Sequence, residues 1–136
     1  MGDDPPEGYV AVARAPFVNH VGPIYQWTDN EPGRMRLGLR VAETHSNSFG
    51  FMHGGMAATL ADSAMARALV GYLGRRAVTL RMSLDYLDTL NLGDWLEVNA
   101  RVVSHDEMVA HTDCEIIVAG AARVHGSAVF RLLRKR

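Results

Sequence analysis

The residues best suited to chemistry lie in residues 45–55, where a polar loop meets a predicted helix. Gly54 and Gly55 follow His53 and begin a segment that is rich in alanine, leucine and methionine. The first amides of a helix lack internal partners and lie at its positive dipole end, and glycine lets another molecule approach the backbone closely. Amides of this kind, aimed at a carbonyl oxygen, form an oxyanion hole. The same two glycines are equally compatible with a tight turn into the helix, so both interpretations stand.

Asp62 is the second residue that could do chemistry, because its neighbours on the predicted helix are mainly apolar. Three and four residues away lie Ala58, Thr59, Met65 and Ala66. Poor hydration in that setting would make the carboxylate a stronger base. The alternative is a structural carboxylate with a local partner, for example Thr59.

The spacing between the two groups limits how they could act together. Gly54 and Asp62 are eight residues apart, which is about 12 Å along a helix with a rise of ~1.5 Å per residue. A general base must lie within hydrogen-bonding distance of the water that attacks the carbonyl. If both groups act on one carbonyl, one of them must come from another copy of the chain. The sequence therefore predicts a composite site in a dimer, on condition that both groups take part.

Other catalytic patterns are absent from the sequence. The six histidines are scattered, with no His-x-x-x-His pair for zinc, and the Gly-x-Ser-x-Gly motif of serine hydrolases does not occur. The single cysteine, Cys114, alternates with Thr112 and Ile116 on the core-facing side of a predicted strand, which indicates packing rather than nucleophilic chemistry. One cysteine also excludes an intrachain disulfide and a cysteine-based zinc site. We therefore expect neither a metal nor a cofactor.

The composition is that of an ordinary globular chain. Its 136 residues suffice for one domain with its own core, and 14 basic against 15 acidic residues give a net charge of -1. Near-neutrality argues against a nucleic-acid binder and against an acidic tail. The acidic, proline-rich N-terminus is unlike a signal peptide, and residues 53–73, although apolar, contain His53, Asp62 and Arg67. A membrane span is therefore not expected, and the cytoplasm is the expected location.

Alternation of apolar and polar residues predicts the strands that must position the site. It recurs in residues 34–41, 78–87, 95–103, 109–118 and 123–133, with a weaker segment near 22–28. Residues 56–70 are apolar nearly all round and rich in helix formers, which is typical of a buried helix. Residues 1–18 hold three of the five prolines and are predicted to be an irregular lead-in with a short helical turn, before a folded domain over 19–136. The simplest packing is an α+β fold in which one antiparallel sheet wraps around one long central helix.

The alternation also predicts which side chains face the core. In residues 78–87 it assigns Thr79 to the polar side and directs an apolar set towards the core, namely Val78, Leu80, Met82, Leu84 and Tyr86. A regular strand with one buried face would show this pattern.

Three short motifs together carry a family resemblance. Asn47, His53-Gly54-Gly55 and Thr59-Leu60-Ala61-Asp62 resemble the signature of the hotdog-fold acyl-CoA thioesterases of the phenylacetate-degradation (PaaI) type. The resemblance covers roughly residues 20–133 and agrees with the order of the predicted elements. It implies the hotdog fold, acyl-CoA as substrate, and hydrolysis to free acid and CoA by dimers that pair into a tetramer.

The resemblance also implies a role for each matching residue. Gly54 would donate its amide to the thioester oxygen, and the partner subunit's Asp62 would act as nucleophile or general base. Asn47 would orient the water or the thioester, His53 would hold the loop and Asn47 in place, and Thr79 would lie near the carboxylate. The CoA phosphates would lie near basic side chains, for which the candidates are Arg75, Arg76, Arg131, Arg134 and Lys135.

Apolar residues beside the same motifs could bind the acyl group. Gly55 allows close approach, and the side chains that could line a pocket are Phe51, Met52, Met56 and Met65. Methionine adapts to varied shapes, so the sequence singles out no acyl group, and the same side chains are compatible with plain core packing.

Two alternative functions use the same fold. Hotdog hydratases resemble this chain and carry an Asp and a His five residues apart in the loop that enters the helix. Here Asp106 and His111 have that spacing, but between two late strands. The other alternative is a noncatalytic acyl-CoA-binding protein, and Asp62 argues against it because binding alone does not require a carboxylate in an apolar setting. Neither nucleic acid nor a membrane is an expected partner.

Overall fold

The computed structural model describes residues 4–13 and 15–135, which form one antiparallel sheet with one long helix packed against it. The strands are β1 Tyr9–Ala11, β2 Tyr25–Trp27, β3 Arg34–Arg40, β4 Ala77–Tyr86, β5 Trp95–His105, β6 Val109–Val118 and β7 Ala121–Leu132. The helices are α1 Val18–Val21 and α2 Gly54–Leu73, and Glu43–His45 forms a 3-10 turn. The strands follow the spatial order β1-β2-β3-β5-β6-β7-β4, so that β1 and β4 are the edges. The predicted α+β class is confirmed.

Helix α2 extends beyond the predicted 56–70 at both ends because residues outside that pattern cap it. At its start the His53 ring accepts the Gly55 N–H at 2.9 Å. At its end Gly74 adopts a left-handed φ of 64° and donates its N–H to the Val70 carbonyl, a conformation that favours glycine. Its core-facing side is built from Met56, Ala57, Leu60, Ala61, Ala64, Met65, Ala68 and Leu69. Within the described ranges, no helix is long and apolar enough to span a bilayer.

Strands β3, β5, β6 and β7 follow the predicted alternation. Their buried side chains meet those of α2 in one core, to which these strands contribute Leu37, Leu39, Leu96, Val98, Ala110, Cys114, Ile116, Val124, Ala128 and Phe130. Burying each of the larger side chains stabilises the fold by roughly 1.5–3 kcal/mol. The Thr112 side chain of β6 is buried in the same core, and its hydroxyl donates to the Ala128 carbonyl at 3.4 Å. Burial of this hydroxyl therefore leaves it with a hydrogen-bond partner.

Strand β4 departs from the predicted alternation because it contains a β-bulge. Its register with β7 shifts between Thr79 and Arg81, which leaves Leu80 without an opposite residue. In the second half of the strand Met82 and Leu84 pack against the core as predicted, whereas Tyr86 is 52% exposed and, in the first half, Val78 and Leu80 are 48% and 58% exposed. Thr79, which the pattern assigned to the outer side, contacts α2 instead. One inserted residue shifts the phase of a strand, so the prediction for the first half of β4 was wrong.

The N-terminal segment, which was predicted to be irregular, contributes an edge strand. Strand β1 pairs antiparallel with β2. Tyr9 packs edge-on against Trp27 and Trp95, with ring centroids 5.2 and 5.3 Å apart. Gly38 makes room for this cluster, since a Cβ there would lie 2.3 Å from the Trp95 ring. A strand of three residues is too short to show a period, and the aromatic contacts that fix it come from distant parts of the chain.

Candidate active site

A buried histidine anchors the loop that leads into α2. The His45 side chain is 4% exposed, and its Nδ1 accepts the Ala42 N–H at 2.9 Å. Its Nε2 is therefore assigned the proton and donates to the Val21 carbonyl at 2.6 Å. The His45 carbonyl accepts the His53 N–H at 2.8 Å, which closes the loop at the base of α2. Sequence reasoning missed His45, because its partner at Val21 is brought near only by the fold.

The Asn47 side chain shapes the tip of this loop. Its Oδ1 accepts the N–H groups of Phe49 and Phe51 at 2.9 and 3.2 Å, and the Asn47 N–H donates to the Phe51 carbonyl at 2.7 Å. Its Nδ2 makes no hydrogen bond within the part of the chain that the structure describes. Oδ1 is thus engaged in the loop, and the predicted role of Asn47 in orienting water or the thioester would need Nδ2.

His53 supports the start of α2 with its ring and its carbonyl. The ring Nδ1 accepts the Gly55 N–H, and the carbonyl accepts the N–H groups of Met56 and Ala57 at 2.9 and 3.2 Å. Among the described residues no hydrogen bond joins the ring to Asn47. The contribution of His53 to the loop is the backbone bond to His45, and its ring orients the helix.

The Gly54 N–H is the free donor at the start of α2. No acceptor for it lies in residues 4–13 or 15–135, whereas the neighbouring Gly55 N–H is used by His53. The Gly54 carbonyl accepts the Tyr86 hydroxyl at 2.7 Å. Burial raises the pKa of Tyr86, so this hydroxyl keeps its proton at neutral pH. Sequence reasoning missed Tyr86 as a site residue, because the alternation of β4 predicts only that it faces inward.

Asp62 lies two turns further along α2, where Thr79 holds it. The Thr79 hydroxyl of β4 donates to Asp62 Oδ1 at 2.6 Å, and the bulge at Leu80 gives Thr79 this direction. Asp62 is half-buried rather than enclosed. Thr59, the structural partner considered from the sequence, donates instead to the Gly55 carbonyl at 3.0 Å. One oxygen of the carboxylate is therefore fixed by β4, and Oδ2 makes no hydrogen bond within the described ranges.

The Gly54 N–H and the Asp62 carboxylate that Thr79 holds lie on an accessible face, at the free edge of the sheet. Gly54 and Thr79 are exposed, and in the sheet of the described residues β4 pairs with β7 alone. Gly54 and Asp62 belong to the same helix and are separated by about 12 Å along its axis. One chain by itself does not bring them to a single carbonyl group.

The predicted acyl-binding side chains divide into buried and exposed residues. Met52, Met56 and Met65 are 6%, 8% and 0% exposed and belong to the core. Phe51 is 40% exposed, and its neighbour Phe49 is 80% exposed. Within one chain Met52 and Met65 are thus covered by other residues and Phe51 lies at the surface, and acyl binding by this set stays a prediction.

The candidate phosphate-binding residues do not lie near Gly54 in one chain. Most of them follow the far end of α2, roughly 30 Å away for a helix of this length. The Arg75 guanidinium is engaged in the structure, since it donates to the Leu133 and Glu107 carbonyls at 3.0 Å each. The remaining candidates are exposed, namely Arg76, Arg131, Arg134 and Lys135.

The other candidate groups do not form a second reactive site. Burial raises the pKa of the Cys114 thiol to about 12, so little of it ionises at neutral pH. Asp106 accepts the N–H groups of Met108 and Val109 at 2.8 and 2.9 Å, which lowers its pKa and closes the turn between β5 and β6, away from the entrance to α2. Among residues 4–13 and 15–135, no cluster of three or more His, Cys, Asp or Glu side chains is placed to hold a metal.

Comparisons with known proteins agree with this geometry. The model of the thioesterase superfamily matches residues 49–132. A predicted esterase of Pseudomonas aeruginosa is 31% identical over 130 residues, which cover 93% of this chain and 96% of that protein. Human acyl-coenzyme A thioesterase 13 is 30% identical over 86 residues, which cover 62% of this chain and 61% of that protein. A solved mutant of the phenylacetic acid degradation protein PaaI from Thermus thermophilus has a TM-score of 0.79 at 27% identity, over 88% of this chain and 100% of that one.

The family match includes α2 and β4, and with them Gly54, Asp62 and Thr79. The helix packed against an antiparallel sheet is the hotdog fold, and the resemblance to the PaaI type is confirmed. The chain belongs to the thioesterase superfamily.

Proposed function

We propose that the protein hydrolyses acyl-CoA thioesters to a carboxylic acid and CoA, at sites that two copies of the chain share. Membership of the thioesterase superfamily supports thioester hydrolysis, and the likeness to acyl-coenzyme A thioesterase 13 supports CoA as the thiol. The observation that carries the proposal is the pair of groups on α2: the free Gly54 N–H, and the Asp62 carboxylate that Thr79 holds.

The Gly54 N–H acts as the oxyanion donor. It lies at the positive end of a helix of 20 residues, where it stabilises the negative charge that develops on the thioester oxygen. The atoms nearest to a Cβ on residue 54 would be those of Tyr86, at 3.5 Å or more, which is ordinary van der Waals contact, and Gly54 is not among the residues with positive φ. The fold itself therefore does not require glycine at this position. Glycine is required here instead because a substrate carbonyl must approach the backbone closely.

The partner subunit's Asp62 supplies the second half of the chemistry. Its free oxygen either attacks the thioester carbon, giving an acyl anhydride that water then cleaves, or takes a proton from a water molecule that attacks the same carbon. In both routes the C–S bond breaks, and the CoA thiolate leaves and takes up a proton. The Asn47 Nδ2 donor orients the water or the thioester. These steps use no metal and no cofactor.

The free edge of β4 is where a second copy is expected to bind. An unpaired edge strand of ten residues is a template for another strand. Two exposed apolar side chains of β4, Val78 and Leu80, lie along it, and Val70 of α2 is 37% exposed. Two-fold pairing of these edges sets the two α2 helices side by side in opposite directions. Each Gly54 then approaches the partner subunit's Asp62, which gives two equivalent sites per dimer.

The variant Asp62→Asn tests this function, because it keeps the shape of the side chain and removes its charge. We expect kcat to fall by at least ~100-fold, since the base or nucleophile is lost, whereas acyl-CoA binding survives because Gly54 and the loop are unchanged. CoA release with a thiol reagent measures turnover over acetyl-, octanoyl-, palmitoyl- and phenylacetyl-CoA, and calorimetry measures binding. Asp29→Asn is the matched control, because Asp29 is an exposed carboxylate of another loop.

Two results would contradict the proposal in different ways. A wild-type protein that releases CoA from none of these esters would refute acyl-CoA hydrolysis. An Asp62→Asn variant as fast as the wild type would refute the role of Asp62 and favour a chain in which Asp62 is structural. Light scattering checks the assembly, since an active monomer would refute the shared site.

A further inference from the structure

The start of α2 contains two consecutive glycines, which by themselves would leave its first peptide groups poorly restrained. We infer that Tyr86 is a positioning residue for the oxyanion donor, because its hydroxyl holds the peptide that follows the Gly54 N–H. The inference rests on the proposed function and names a further residue of the same site.

The peptide group that joins Gly54 to Gly55 is held at both ends. Tyr86 donates its hydroxyl to the carbonyl of this group at 2.7 Å, and His53 Nδ1 accepts its N–H at 2.9 Å. The preceding peptide is held through the His53 carbonyl, which accepts the Met56 N–H at 2.9 Å. The Gly54 N–H therefore projects from a backbone that is fixed on both sides, while no acceptor within the described residues turns it away from a substrate.

The Tyr86 ring also lies next to Gly54, within ordinary van der Waals contact of a side chain at that position. A Cβ built on Gly54 would lie 3.5 Å from the Tyr86 hydroxyl oxygen, 3.7 Å from Cζ and 3.9 Å from Cε1. The Tyr86 ring thus packs against Gly54 from one side and leaves the side of the Gly54 N–H open. A rigid donor stabilises a developing charge without rearranging during the reaction, which is why its orientation affects turnover more than binding.

The variant Tyr86→Phe tests the inference, because it keeps the ring and removes only the hydroxyl. We expect kcat to fall by about 10- to 100-fold, as for a reacting group displaced by a fraction of an ångström to an ångström, with KM within about twofold of the wild type. The melting temperature should change by no more than about 2 °C, because the carbonyl is partly accessible to water. Tyr72→Phe is the matched control, since Tyr72 is exposed and its hydroxyl makes no hydrogen bond within the described ranges.

Backbone dynamics provide a readout that does not depend on activity. We expect the NMR order parameters of the Gly54 and Gly55 amides to fall in Tyr86→Phe from near 0.85 towards about 0.6, with the rest of α2 unchanged. Adding His53→Ala should lower kcat by less than the product of the two single effects, because both residues hold one peptide group.

Three results would overturn the inference. A wild-type kcat in Tyr86→Phe with unchanged order parameters would show that the hydroxyl positions nothing. A raised KM at unchanged kcat would make Tyr86 a substrate contact, and a melting temperature that falls in proportion to kcat would make it a structural residue. An inactive wild type would refute the proposed function instead, and the order parameters would then decide the role of Tyr86 alone.

Discussion

Mixing two inactive chains is the most direct test of a site shared between subunits. Asp62→Asn removes the carboxylate and Gly54→Pro removes the amide donor, so each homodimer lacks one group at both of its sites. In a dimer with one chain of each kind, the Gly54 of the first chain meets the Asp62 of the second. One of the two sites is then complete, and the other lacks both groups.

Proline suits position 54 because the structure already meets its backbone requirements. The first position of a helix tolerates proline, since its N–H has no partner within the helix. The residue before a proline must be extended, and His53 has φ −59° and ψ 134°. We therefore expect Gly54→Pro to leave α2 in place and to remove only the donor.

The recovery expected from the mixture follows from counting sites. A heterodimer purified with two different affinity tags should regain about half of the wild-type kcat per dimer, since one of its two sites is complete. Each homodimer should stay below about 1%. CoA release measures the rate, and Asp62→Asn chains that carry the same two tags are the control. A heterodimer as inactive as the two homodimers would refute the shared site, because that is the outcome expected if each site lies within one chain.

Two further predictions concern the loop and the aromatic cluster. Asn47→Asp keeps the Oδ1 acceptor that folds the loop and removes the Nδ2 donor, so kcat should fall roughly 10- to 1000-fold at an unchanged melting temperature; wild-type turnover would limit Asn47 to a structural role. Gly38→Ala places a Cβ 2.3 Å from the Trp95 ring and should lower the free energy of unfolding in urea by roughly 1–3 kcal/mol. Gly71→Ala, whose Cβ meets nothing within 4 Å, should instead raise it by up to about 1 kcal/mol, and equal effects of the two would contradict the packing argument.

The elements that could be predicted from the sequence are those long enough to show their own period. Strands β3, β5, β6 and β7 each have one buried face, and α2 is a long run of helix formers, so the pattern of each identifies it. The bulge in β4 leaves no trace, because residues 77–86 alternate around Leu80 as a regular strand would. Its position depends on pairing with β7 and on the contact between Thr79 and Asp62, which the local sequence does not contain.

The site residues differ in the same way. Gly54 and Asp62 could be placed relative to each other because the rise of one helix fixes their separation. His45 and Tyr86 could not be assigned, because each acts on a residue that only the fold brings near. Met52 was assigned to a pocket and lies in the core, since an apolar residue beside a motif looks the same in either setting.

The residue count of β4 is itself part of the site. Thr79 and Tyr86 are seven positions apart, an odd separation, so an uninterrupted strand would direct their side chains to opposite faces. The extra residue at Leu80 restores a common face, and both hydroxyls reach α2, one at Asp62 and the other at Gly54. Deleting Leu80 would turn one of the two hydroxyls away from α2. Thr79 would turn away if the second half of β4 kept its pairing with β7, and Tyr86 would turn away if the first half kept it. Only an insertion or deletion of an even number of residues between Thr79 and Tyr86 would therefore keep both side chains on one face, although an edge strand could otherwise accept a different length.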